Sequence, residues 1–90
     1  MQSVIYLGPS HALRTAQVIL EPRWPVVAPL PTSESVAASI GNAVGVLDAS
    51  MRVRLDRALF DRAPGLRVVS TATTGADHID ARVLADRSIP

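Results

Sequence analysis

The stretch Arg67-Val-Val-Ser-Thr-Ala-Thr-Thr-Gly-Ala-Asp-His-Ile-Asp80 decides the fold. Its first part, Arg67 to Ala72, carries β-branched and small residues and reads as a buried strand. The strand breaks at Thr73-Thr74-Gly75, where glycine permits a backbone turn that a larger residue resists. Asp80 then opens a helix, as an acceptor suited to the first unpaired amides. A strand running into a tight glycine turn exposes backbone N–H groups at its carboxyl end. Open α/β sheets bind small anions there. The expected site of the molecule is this turn.

Upstream, the same alternation repeats. Val4-Ile5-Tyr6-Leu7 is a short apolar run ended by Gly8-Pro9, and Ser10 is placed to cap the helix that follows. In that helix Ala12, Leu13, Ala16, Ile19 and Leu20 recur at helical spacing and form one apolar face. Pro22 and Pro25 stop it around Arg23-Trp24. Val26-Val27-Ala28 is a second strand, closed by Pro29-Leu30-Pro31. Thr32 or Ser33 caps a second helix with Val36, Ala37 and Ile40 inward, and Gly41-Asn42 stops it. Val44-Gly45-Val46-Leu47 is a third strand, followed by a polar loop from Asp48 to Arg52. A helix from Arg54 to Ala63 buries Leu55, Ala58 and Leu59, and Pro64-Gly65 ends it. The quoted stretch supplies the fourth strand. A last helix, Asp80 to Arg87, presents Ala81, Leu84 and Ala85. Strands alternating with helices imply parallel pairing and right-handed crossovers. The expected architecture is α/β: a flavodoxin-like parallel sheet of four strands with helices on both faces, truncated before a fifth strand.

Composition fits this and narrows the function. Ninety residues allow one domain, and 48% are hydrophobic with only three aromatics, so Val, Leu, Ile and Ala must build the core. The net charge of +1 gives no strong pull toward nucleic acid or membrane, and all nine basic residues are Arg. Without Cys there are no disulfides or thiolate metal sites. There is no run of transmembrane length and no signal-type N-terminus, so a cytoplasmic location is expected.

Several residues invite sharper readings that the sequence does not favour. His78 lies between Asp77 and Asp80, but capping and turn stabilisation suit those carboxylates better than acid–base work. His11 reads as an exposed first-turn residue. No spacing brings three metal ligands together. Gly8-Pro9-Ser10 makes a poor phosphate cradle. Arg57 and Asp61 stand at the i, i+4 spacing of a helical ion pair.

From Val44 onward the sequence resembles the N-terminal segment of the D-2-hydroxyacid dehydrogenases. The residues carrying this are Gly45-Val-Leu47, Ala63-Pro-Gly-Leu-Arg-Val-Val-Ser70, Gly75-Ala-Asp-His-Ile-Asp80 and Ala85-Asp-Arg-Ser-Ile-Pro90. Ser-Thr before the loop and the His of Asp-His-Ile are similar to the glyoxylate and hydroxypyruvate reductase branch. The resemblance implies the first part of a substrate domain, with a separate Rossmann domain holding NAD or NADP. It implies that the amides of Thr74 and Gly75 bind the carboxylate of a small 2-oxo or 2-hydroxy acid. It also implies that Ser50, in the loop after the third strand, lies at the same cleft edge and contacts the substrate. Two positions depart from the family: Thr74 stands where an apolar residue is usual, and Ser88 where a glycine follows the last helix. The family's catalytic Arg, Glu and His lie beyond the matched segment. No Gly-x-Gly-x-x-Gly occurs, since the glycines are at 8, 41, 45, 65 and 75. Residues 1–90 are thus expected to be one partial substrate domain that binds no cofactor and is not catalytic alone. The competing expectation is a non-catalytic flavodoxin-like module that binds a protein partner, self-associates or pairs with a complementing chain through an open sheet edge.

Overall fold

The computed structural model describes residues 2–49, 53–71 and 78–89. The elements run β1 (Ser3–Leu7), α1 (Ser10–Leu20), β2 (Val26–Val27), α2 (Ser33–Ser39), a 3₁₀ turn (Ile40–Asn42), β3 (Ala43–Asp48), α3 (Arg57–Phe60), β4 (Val68–Thr71) and α4 (Ala81–Asp86). All described strand pairs are parallel, and the sheet order is β2-β1-β3-β4. This is the flavodoxin-like order: the chain winds outward from β1 to β2, then crosses back over β1 to β3 and β4.

Side chains alternate across the sheet, so each strand serves two faces. On one face Ile5, Leu7 and Val46 meet Val36 and Ile40 of the second helical segment, Leu59 and Phe60 of α3, and Val83 of α4 in one buried cluster. On the other, Val4, Gly45, Leu47 and Val68 floor a hollow of about 470 Å³, walled by Leu20 at the end of α1 and by Trp24. The Arg23 guanidinium lies 5.1 Å from the centre of the Trp24 ring.

Local chemistry sets the helix ends. Thr32 caps α2 by accepting from Ser35 N at 3.1 Å, Asp56 caps α3 by accepting from Leu59 N at 3.0 Å, and Asp80 caps α4 by accepting from Val83 N at 3.3 Å. At the end of α4, Ile89 N donates to Leu84 O at 2.8 Å and Ser88 N to Ala85 O at 3.1 Å. Ser88 sits at φ 57°, so the helix closes with a Schellman turn made by a serine. Arg87 follows the helix and donates to Phe60 O at 2.7 Å, Ala63 O at 2.8 Å and Pro64 O at 3.3 Å. Its guanidinium thereby adds a second donor to Phe60 O and Ala63 O, which also accept from Ala63 N and Leu66 N, and ties α4 to the segment that ends α3.

Several local expectations give way. Ser10 is the first residue of α1, preceded by Pro9 at the N-cap with no side-chain cap bond. Ile19 is 74% exposed, because the buried stripe of α1 is narrow and centred on Ala16. The helix expected from Arg54 to Ala63 is one turn, since Leu55 pairs with Ile79 in a parallel bridge and draws the preceding residues out of helical register. Ala58 is exposed, and Phe60 is buried in its stead. In α4 the buried residue is Val83, while Ala81 and Ala85 face outward. β4 is an exposed edge strand, not a buried one: it pairs only with β3 among the described residues, and Val68 is 45% exposed. Arg57 pairs with Asp86 at 3.2 Å across the surface, not with Asp61.

Candidate functional site

The strand order creates a switch point between β1 and β3, where the two following connections leave in opposite directions. Ligands of open α/β sheets bind outside the carboxyl ends of the strands at such points. Register brings three strand ends together there: Leu7 lies opposite Asp48, and Asp48 opposite Thr71. Ala49 N donates to the Leu7 carbonyl and continues the ladder one step past β3.

Beside this edge is a hollow of about 490 Å³ lined by Leu7, Gly8, Pro9, Ser10, Pro29, Pro31 and Ala49. Gly8 is required by close approach. A Cβ there would lie 2.6 Å from Tyr6 Oη and 3.0 Å from Ala49 Cβ. The Tyr6 hydroxyl donates to Pro9 O at 2.9 Å and so braces the turn into α1. That turn does not fit a dinucleotide pyrophosphate. Pro9 offers no N–H, and the space beside Gly8 is taken by the Tyr6 ring.

Asp48 and His78 form a buried polar contact at this edge. The Asp48 side chain is 0% exposed and that of His78 9%. The Nε2 of His78 is hydrogen-bonded to Oδ2 of Asp48. The other ring nitrogen, Nδ1, is buried with no hydrogen-bond partner among the described residues. Asp48 was expected in a polar loop. It is instead the last residue of β3, and its side chain alternates onto the face that holds Leu7 and Val46. His78 is held from its backbone too: Leu55 N donates to His78 O at 2.8 Å, and Asp80 N donates to Leu55 O at 2.8 Å.

Thr74, Gly75 and Ser50, the substrate-binding residues expected from the sequence, lie outside the described residues. What flanks them is described. Thr71 and His78 stand on either side of the glycine stretch, Ala49 and Val53 on either side of the Ser50 loop, and Asp48 adjoins both connections. Sequence reading missed the Asp48–His78 pair. An acidic residue closing the apolar run Val-Gly-Val-Leu, and a histidine just before a helix cap, were the available signals. His11 is exposed at the start of α1. No group of three His, Asp or Glu side chains that could hold a metal ion is found among the described residues.

The model of the D-isomer specific 2-hydroxyacid dehydrogenase catalytic domain matches residues 14–90. The chain belongs to this family. Over 64 residues it is 42% identical to erythronate-4-phosphate dehydrogenases of Aeromonas hydrophila and of Aeromonas salmonicida, an alignment that takes in 71% of this chain and 17% of each relative. A Thermus thermophilus protein of known structure superposes on 99% of the chain and 29% of its own length, with a TM-score of 0.76 and 27% identity. An NAD-dependent formate dehydrogenase of Staphylococcus aureus, solved in complex with NAD, shares the fold with a TM-score of 0.80 at 17% identity, over 99% of this chain and 31% of its own. The chain therefore spans about a sixth of the length of the curated relatives it matches. Among the described residues no helix is long and apolar enough to cross a membrane.

Proposed function

We propose that this chain is the N-terminal segment of the substrate domain of an NAD(P)-dependent oxidoreductase acting on small 2-oxo and 2-hydroxy acids. Its own part is recognition of the substrate carboxylate by the backbone amides of Thr74 and Gly75, with Ser50 from the neighbouring connection. Amides suit an anion because they are fixed donors that do not titrate. Hydride transfer, carbonyl polarisation and cofactor binding belong to polypeptide outside this segment, and the chain alone has no turnover. The observation that carries the reading is the family match over residues 14–90. The meeting of the β1, β3 and β4 ends at the switch point supports the placement of the site. A phosphorylated four-carbon 2-hydroxy acid is the first substrate to test, because the Aeromonas relatives carry erythronate-4-phosphate in their names. The family match does not favour a free-standing partner-binding module.

The test is an amide-resolved NMR titration of the 90-residue chain with oxamate, a stable mimic of a 2-oxo acid. Shifts concentrated at the Thr74 and Gly75 amides are expected. Shifts that bypass these amides overturn the reading. In parallel, NADH oxidation with glyoxylate, hydroxypyruvate and pyruvate, and NAD reduction with erythronate 4-phosphate, are expected to give no turnover. Clear turnover by the pure chain overturns its non-catalytic role.

A further inference from the structure

We infer that the hollow on the second face of the sheet binds a small amphipathic carboxylic acid, its apolar body over Gly45 and its carboxylate at Arg67. The inference stands apart from the proposed function, because it uses no residue of the proposed carboxylate site. Its floor is one row across the sheet. Register sets Val26, Val4, Gly45 and Val68 side by side on β2, β1, β3 and β4. Valine is the usual choice for such a row, and a glycine inside a central strand weakens it. Backbone geometry does not demand the glycine, since Gly45 has no positive φ. Packing does not forbid a methyl either. A Cβ there would lie 3.2 Å from Val68 Cγ1 and 3.8 Å from Val4 Cγ2, and Val68 is 45% exposed with room to turn. What the glycine does is lower the floor of the hollow at its centre. A strand-interior glycine of this kind marks a place where another molecule or backbone comes close.

Walls and rim decide the occupant. The hollow, about 470 Å³, has the size of a small-molecule site and the mainly apolar lining of one. Leu20 and Trp24 form its wall, and that wall is held in place. Trp24 N donates to Leu20 O at 3.0 Å, and the Arg23 guanidinium stacks on the Trp24 ring. A wall fixed in advance loses little freedom when a ligand arrives. Among the residues lining the hollow only Arg67 is charged. Its guanidinium has no hydrogen bond or ion pair among the described residues. One unpaired cation beside an apolar, aromatic-walled hollow matches a monoanion with an apolar body. A neutral apolar molecule leaves that cation unused. A second copy of the chain, docked hollow to hollow about a two-fold axis, brings a second Arg67 to the same patch with no acid to answer it.

The experiment titrates the 90-residue chain with octanoate and, separately, with 1-octanol. The readouts are the emission of Trp24, the one tryptophan, and the backbone amide shifts. Octanoate is expected to bind saturably, one per chain, with a dissociation constant of about 1 mM or below. The shifts are expected to gather at Gly45, Leu47 and Val68. Arg67→Gln, at an exposed position, is expected to weaken octanoate about three- to fivefold while 1-octanol stays within about twofold of the parent. Gly45→Ala raises the floor by one methyl and is expected to weaken both ligands about threefold. Val68→Leu crowds the same floor from the exposed edge strand, leaves the central strand untouched, and is expected to act alike. The site is overturned if octanoate leaves Trp24 and these amides unmoved. It is equally overturned if the shifts gather at Val18, Ile19 and Leu30, the exposed apolar residues elsewhere. Equal loss of both ligands in Arg67→Gln, or no loss of either, overturns the carboxylate assignment. Full affinity in a folded Gly45→Ala or Val68→Leu chain overturns the placement over Gly45. A dimer in light scattering that octanoate does not dissociate gives the hollow to a second copy and overturns the small-molecule reading.

Discussion

On one face of the sheet α2, α3 and α4 press Val36, Leu59, Phe60 and Val83 against Ile5, Leu7 and Val46. On the other, Leu20 of α1 and Trp24 stand beside a hollow over Val4, Gly45, Leu47 and Val68 that none of the described residues fills. Parallel sheets bury both faces, so the contrast matters energetically. Close packing and burial are concentrated on the first face, and that face also carries Asp48 to the carboxyl edge. The second face contributes area but little density. A domain of this size holds on the order of 5–10 kcal/mol in all. The first face must supply most of it.

The strongest way to break this comparison is to empty the filled face. Phe60→Ala, at a fully buried position, is expected to cost about 3–5 kcal/mol and to leave the chain close to unfolded in urea titration. Leu20→Ala, at a half-buried position facing the hollow, is expected to cost about 1 kcal/mol by the same measurement. Equal losses at the two positions would erase the distinction between the faces. Ser88→Gly sharpens it from the other direction. The serine holds a left-handed φ so that Ile89 can turn back into the core cluster. Glycine is expected to raise stability by about 0.5–1 kcal/mol, read as a higher midpoint with an unchanged slope. The smallest effect belongs to the outer side of α1: Ile19→Ser is expected to change stability by less than about 0.5 kcal/mol.

Much of this architecture was legible because it rests on local signals. Strand–helix alternation, the Thr32 and Asp80 caps and the flavodoxin-like order follow from spacing and capping chemistry that act over a few residues. What stayed hidden depends on partners far along the chain. Nothing within Arg67 to Ala72 says whether its strand is central or marginal; that is fixed by how many neighbours it acquires. The apolar spacing around Leu55 fits a longer helix, and only the bridge to Ile79, 24 residues on, overrides it. Asp48 is the sharpest case. In sequence it begins a polar loop, and its buried contact with His78 joins residues 30 positions apart. The carboxyl edge of the sheet was legible as a place, and the contacts described there were not.

Arg87 leaves one more consequence. α3 is a single turn, too short to hold itself as an isolated helix. The carbonyl of Phe60 at its end, and those of Ala63 and Pro64 just beyond it, are gathered by one guanidinium from the far end of α4. The two segments therefore behave as a single rivet plate, with Arg87 as the rivet. Lysine at this position keeps the charge but offers a point where a planar fork is needed, so the most conservative exchange available is also one the fold does not tolerate as equivalent.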